Sequence, residues 1–202
     1  MPIFRGTNNI SKIFRGNTEI VKAFRGTDLI FTSALPFGAY ELIADVNVTA
    51  NTTQIDFDNL NITKDDELRL VYTFVGDSST SNSLYSIRYN NVSSNYTRQS
   101  MESSFDGSLI NASRGTNSFI SFGRSTRKSS GFSDIKVSNN DRFVSQSNNS
   151  FFIGAESSNI IQTHGNIINT STVSSITKLS VVSNRTNGIA VGSRLQLYKV
   201  VT

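Results

Sequence analysis

The amino-acid sequence predicts an all-β protein: a two-layer antiparallel β-sandwich, jelly-roll-like, over residues 39–202, preceded by a short β-repeat arm over residues 1–34. Three observations predict it. Apolar residues recur with a period of two, most plainly where Leu68, Leu70, Tyr72 and Phe74 alternate with Glu67, Arg69 and Thr73, the pattern of a half-buried strand. Clusters of Gly, Asn, Ser and Asp punctuate such runs at short intervals, as a sandwich or barrel requires, and apolar spacing of the helical kind is absent. A short repeat with glycine at a fixed phase opens the chain.

The repeat has a ten-residue period: Ile3-Phe4-Arg5-Gly6, Ile13-Phe14-Arg15-Gly16 and Ala23-Phe24-Arg25-Gly26, with Ile10, Ile20 and Ile30 keeping the same step. Each unit reads as a short apolar strand, a glycine turn and a second short strand. Ten residues cannot enclose a core, and an isolated two-stranded hairpin is marginal in water. The units must therefore bury Ile3, Phe4, Ile13, Phe14, Ile20, Phe24 and Ile30 against each other, other copies of the chain or a docking surface. Arg5, Arg15 and Arg25, at one phase of the period, would form a ladder suited to carboxylates of a partner protein, unless they simply point to water. Closing the strands around a threefold axis would satisfy both backbone and apolar faces, so a homotrimer is preferred over docking of a single arm.

After the break at Ser33 to Gly38, strands are expected at Tyr40 to Val48, Gln54 to Phe57, Leu84 to Tyr89, Ser118 to Phe122, Phe132 to Val137, Phe151 to Ile153, Asn159 to Ile168, Ile176 to Val182 and Arg194 to Val200. The segments Asp77 to Asn82 and Arg124 to Gly131 read as exposed loops, and Asn139 to Ser150 contains another.

Composition narrows the function classes. Ser, Thr and Asn supply roughly a third of the 202 residues, and 14 Phe with 6 Tyr supply enough aromatic surface for a core. Nineteen basic against 15 acidic residues leave a charge of +4, but the basic residues are scattered, unlike the dense stripe of a nucleic-acid binder. The absence of cysteine excludes disulfides, thiolate metal sites and cysteine nucleophiles. The N-terminus has no basic and apolar signal pattern, and no long apolar run occurs, so neither secretion nor membrane insertion is expected.

The order of motifs carries a resemblance. Tyr40-Glu41-Leu42-Ile43, Ile55-Asp56-Phe57, Leu68-Arg69-Leu70, Ile87-Arg88-Tyr89-Asn90 with Ser94-Asn95-Tyr96, Ser175-Ile176-Thr177 and Gly192-Ser193-Arg194-Leu195-Gln196-Leu197-Tyr198 follow one another. This order resembles a β-sandwich domain of tailed-bacteriophage virion proteins, found in tail-fibre, baseplate and head-surface components. The decapeptide array resembles the short Ile/Tyr-Leu-Gly type repeats that precede such domains. Members of that family often carry a Gly-Leu-Trp-Arg type stretch before the final strands; here His164-Gly165-Asn166 stands in that region, so no ligand role carries over to it. The resemblance implies a fold and a virion location, with no catalytic site.

The residues themselves say little for catalysis. His164 is the single histidine, and no Gly-x-Ser-x-Gly elbow accompanies it. Asp56 and Asp58 would share a strand face, and Asp56 to Glu67 superficially mimics a calcium loop, but Leu60 and Asn61 stand where a ligand and the turn glycine belong, so a polar turn is the better account. Arg124, Arg127 and Lys128 could form a surface-ligand loop meeting an anionic host glycan, the plainer account being solubility. The expectation is a non-enzymatic virion structural protein without cofactor or metal. It would be a tail-fibre or baseplate appendage attached through its arm and able to touch host glycan; the alternative is a head fibre or capsid decoration protein, and a glycan depolymerase fits less well. Other virion proteins are its expected partners.

Overall fold

The computed structural model describes residues 13–15, 18–20, 22–25, 28–32, 38–75, 83–104, 110–117, 121–125, 128–153 and 159–201. Within them there are strands and no helix. The arm contributes β1 (Ile13–Arg15), β2 (Thr18–Ile20), β3 (Lys22–Arg25) and β4 (Asp28–Thr32). The sandwich contributes β5 (Tyr40–Asn47), β6 (Gln54–Phe57), β7 (Glu67–Val75), β8 (Ser83–Tyr89), β9 (Tyr96–Ser104), β10 (Ile110–Asn117), β11 (Ser121–Ser125), β12 (Lys128–Val137), β13 (Arg142–Ile153), β14 (Asn159–Thr172), β15 (Leu179–Ser183) and β16 (Arg194–Val200).

Two sheets form the sandwich, one of eight strands in the order β10-β9-β14-β13-β12-β7-β16-β5 and one of four in the order β11-β8-β15-β6, every pairing antiparallel. The pairings nest: β5 with β16, β6 with β15, β7 with β12, β8 with β11 and β9 with β10. Setting aside the hairpins β9–β10 and β13–β14 leaves two four-stranded sheets, β5-β16-β7-β12 and β6-β15-β8-β11, wrapped as a jelly roll. The two hairpins pair with each other through β9 and β14 and prolong one sheet beyond β12.

The core lies where the sheets face each other. Leu68, Leu70, Tyr72 and Phe74 of β7 are all buried, as the period-two pattern requires of a strand with neighbours on both sides. Phe74 stacks on Tyr85 of the opposite sheet at 3.8 Å between centroids, and Phe143 stacks on Tyr89 at 4.9 Å. Burying each such side chain contributes about 1.5–3 kcal/mol. Ile87, Leu179, Val181, Ile55, Phe57, Leu195 and Leu197 belong to the same apolar layer, as do Ile135, Ile167 and Ile176.

Motifs distant in sequence meet at the loop ends. The Asn90 side-chain oxygen accepts from the backbone N–H groups of Thr177 and Lys178 at 2.8 and 3.1 Å, while its amide donates to the Ser175 carbonyl at 2.8 Å. Asn90 and Asn91 adopt positive φ (46° and 61°), a conformation that asparagine tolerates, and this carries the chain out of β8. At the other end the Val75 N–H donates to Ser193 Oγ at 2.8 Å, fixing the start of β16 beside β7.

Several expected strands appear with close to the expected bounds, notably Gln54–Phe57 and Arg194–Val200. The loop expected over Arg124 to Gly131 is instead largely extended, as the end of β11 and the start of β12. Pairing of Lys128 to Gly131 with β7, and of Ser129 onward with β13, holds residues that local propensity would leave as loop. The expected loop within Asn139 to Ser150 is confined to the turn before β13, and most of that segment is strand. Strands β9 and β10 lie in stretches where no strand was expected. Asp77 to Asn82 lies outside the described residues.

Candidate functional site

In the arm, Ile13 pairs with Ile20, Phe14 with Glu19 and Arg15 with Thr18, so one decapeptide makes an antiparallel hairpin with Gly16-Asn17 between its strands. Phe24 pairs with Leu29 and Arg25 with Asp28; a register shift there leaves Ile30 as the extra residue between Leu29 and Phe31. Each hairpin is a sheet of two strands. Ile3, Phe4 and Arg5 lie outside the described residues. The first sandwich strand, β5, is the free edge of the eight-stranded sheet and carries Tyr40, Leu42 and Ile43, which are 46%, 49% and 39% exposed. An apolar edge strand is a ready surface for another chain.

The basic cluster is split between sheets. Arg124 lies in β11, opposite Leu84, whereas Lys128 opens β12 opposite Val75 and is exposed; Arg127 lies outside the described residues.

The acidic candidates are already engaged. Asp56 Oδ1 accepts from Gln54 Nε2 at 2.7 Å and Ser180 Oγ at 2.6 Å, and Lys178 Nζ lies 2.9 Å from Asp56 Oδ2 and 3.6 Å from Asp58. Partial burial pushes the Asp56 carboxyl up, but the hydrogen bonds from Ser180, Lys178 and Gln54 outweigh it and hold the group below its ordinary value. Asp66, near the other end of the calcium-like stretch, accepts from Thr63 N and Oγ1 at 3.0 and 3.1 Å and pairs with Lys199 at 2.6 Å. These carboxylates fasten turns and strand ends. Among the described residues no group of three or more His, Cys, Asp or Glu is placed to hold a metal.

The most distinctive surface is the outer face of the prolonged sheet. Register aligns its outward residues into rungs across the strands: Arg114, Gln99, Asn166, Gln146, Asp134 and Arg69 in one, and Ala112, Met101, His164, Asn148 and Phe132 in the next. At the jelly-roll end, Arg69 makes a two-pronged ion pair with Asp134 at 2.6 and 2.8 Å and is stacked between Tyr40 and Phe132, 4.8 and 4.7 Å from their ring centroids. The hydrogen bond to Asp134 raises the Arg69 guanidinium above its ordinary value. Beyond it the polar groups are loose: the side-chain amides of Gln99, Gln146 and Asn166 make no hydrogen bond to another described residue. His164 Nδ1 meets the Asn148 side-chain oxygen, and Nε2, the other ring nitrogen, makes no hydrogen bond to another described residue.

Between these two rungs runs a hollow of about 480 Å3, bounded by Arg114, Gln99, Gln146, Asn166, Met101 and His164 and floored by the backbone of Ser100 and Gly165. A second hollow, of about 390 Å3, adjoins it at His164 and reaches Phe132 and Gln162. Sequence reasoning named His164 but missed Gln99, Gln146 and Asn166. In a chain where amides are everywhere, only cross-strand register singles these out. Comparison with known protein families, curated proteins and solved structures finds no match for the chain.

Proposed function

We propose that the protein is a non-enzymatic structural component of a tailed-phage virion, a tail-fibre or baseplate appendage held by its N-terminal repeat arm, with the jelly roll displayed outward. The observation that carries this reading is the recurrence, directly before the jelly roll, of a two-stranded unit at the decapeptide period. A hairpin of that size needs a neighbour to be stable, and a row of such units is a device for attachment or oligomerisation. The exposed apolar edge of β5, which follows the arm in sequence, supports the same reading, because it offers further surface to a second copy or a virion protein. The engagement of Asp56, Asp58 and Asp66 by lysines gives those carboxylates fastening duties.

The test is deletion of residues 1–34. The truncated chain is expected to remain folded, to run as a monomer where the full chain runs as a trimer, and to be missing from assembled particles. Incorporation at normal stoichiometry would end the anchoring role. Separation of particles into heads and tails, with the chain sought in each fraction, is expected to find it with tails; recovery with heads would transfer the same anchoring argument to a capsid decoration protein.

A further inference from the structure

We infer that the trough on the outer face of β10-β9-β14-β13 is a binding site for a neutral oligosaccharide. Its lining sets the chemistry. Gln99, Gln146 and Asn166 each offer an amide with both donors and an acceptor, His164 adds a ring nitrogen, and Arg114 adds donors at the far end. The amides are uncommitted to other described residues, so contacts to a ligand need break no internal hydrogen bond. No carboxylate bounds the trough and one guanidinium does, which is too little charge for nucleic acid or a polyanion. Met101 and Ala112 give a short apolar ridge, too small for a lipid or a hydrophobic helix, and peptide strands add at sheet edges, whereas this is a face. A hydroxyl-rich ligand that both donates and accepts, and that lays a ring face on a thioether and on Phe132 of the adjoining hollow, matches what remains.

The dimensions agree. The trough crosses four strands, roughly 14 Å at about 4.8 Å per step, and lies between two rungs roughly 7 Å apart, so it would take a short linear glycan laid across the strands. Gly165 and Ser100 belong to the inward-facing set, so the floor between the two rungs is backbone alone. Neither Arg124, in β11 of the other sheet, nor Lys128, in β12, bounds the trough. That the ligand belongs to a host surface rests on the virion reading above; the binding chemistry does not.

The test uses the full chain and chemical-shift mapping against neutral oligosaccharides (maltohexaose, cellohexaose, chitohexaose and mannohexaose), with a heparin fragment as the anionic control. At least one neutral chain is expected to perturb the side-chain amides of Gln99, Gln146 and Asn166. The double variant Gln99→Ala with Asn166→Ala is expected to weaken that binding by about tenfold or more, from the loss of two hydrogen-bonding groups, with an unchanged melting temperature. Lys128→Ala is expected to leave binding unchanged. Absence of any millimolar neutral binder, binding of heparin alone, or binding indifferent to the double variant would each overturn the assignment. Particle incorporation is independent of all three, so failure here and failure of the anchoring role are separable.

Discussion

One inward-facing rung crosses the whole eight-stranded sheet and changes character on the way: Ala44, Leu197 and Leu70 in the jelly roll, Ser133 on its last strand β12 at the seam, then Ser147, Gly165, Ser100 and Ser113 in the extension. The backbone ladder is continuous, but the groups beneath it change from hydrocarbon to hydroxyl. In the jelly roll, stability comes from aromatic and aliphatic side chains pressed against a second sheet. In the extension, Tyr96, Phe143 and Ile167 still reach that core, and away from them the inward serines bond to each other. Ser133 Oγ lies 2.6 Å from Ser145 Oγ and 2.7 Å from Ser147 Oγ, and Ser100 Oγ lies 2.9 Å from Ser113 Oγ. A sheet can thus be carried beyond its apolar core where buried hydroxyls satisfy one another.

The sharpest way to break this contrast is to remove a large side chain from the jelly roll. Phe74→Ala strips out the ring that stacks on Tyr85 and is expected to cost about 3–5 kcal/mol in urea melts. A cost near 1 kcal/mol would mean that the inter-sheet core is not the main source of stability. Gly131→Ala comes next, at the seam between the regions. An added Cβ would collide with the Asn148 carbonyl oxygen and lie 2.7 Å from the Tyr72 hydroxyl, so the strands must part locally, at about 3 kcal/mol.

The contrast also explains what could be read from the sequence. The jelly-roll strands bury one face in hydrocarbon, and that face leaves an alternation such as Leu68, Leu70, Tyr72, Phe74 that is visible without coordinates. In β13 the same alternation is present as Ser145, Ser147 and Asn149 inward against Gln146 and Asn148 outward, but both sets are polar, and the segment reads as loop. Strands β9 and β10 fail for the same reason. The trough inherits that illegibility, because its amides become a site only when register brings Gln99, Asn166 and Gln146 abreast. The arm was legible because short apolar strands and Phe-Arg-Gly recur in phase, so the strands of β1–β2 and β3–β4 could be placed from the period.

Acidity offers a smaller effect that separates the regions differently. Burial pushes Asp66 up, but Lys199 and the Thr63 groups hold it below 3.8 on balance, so its contribution is complete above that ordinary value and is lost as the pH falls through the lowered one. Asp66→Asn is expected to cost about 1.5–2 kcal/mol at neutral pH, with the gap to wild type closing in strongly acid solution. Ser133→Ala, which leaves Ser145 and Ser147 without their shared partner, is expected to cost about 1 kcal/mol at every pH, since no ionisable group takes part. A pH-dependent cost at Ser133 would show that charge supports the extension too.

The smallest effect is expected one residue from those serines in sequence but on the other side of the sheet. Gln146 follows Ser145 in β13, faces outward and is exposed, and its side chain makes no hydrogen bond to a described residue. Truncating it removes no hydrogen bond to a described residue, so Gln146→Ala is expected to move stability by less than about 0.5 kcal/mol, even though Ser133→Ala, whose residue pairs with the neighbouring Ser147, does not stay within that limit. Thermal melts of the two variants side by side decide the point. If Gln146→Ala destabilises as much as Ser133→Ala, the outer amides are structural members of the sheet and unavailable to a ligand. If it leaves stability alone, the two faces of one strand have separate duties: hydroxyls inward that hold the extension together, and amides outward that are free for recognition.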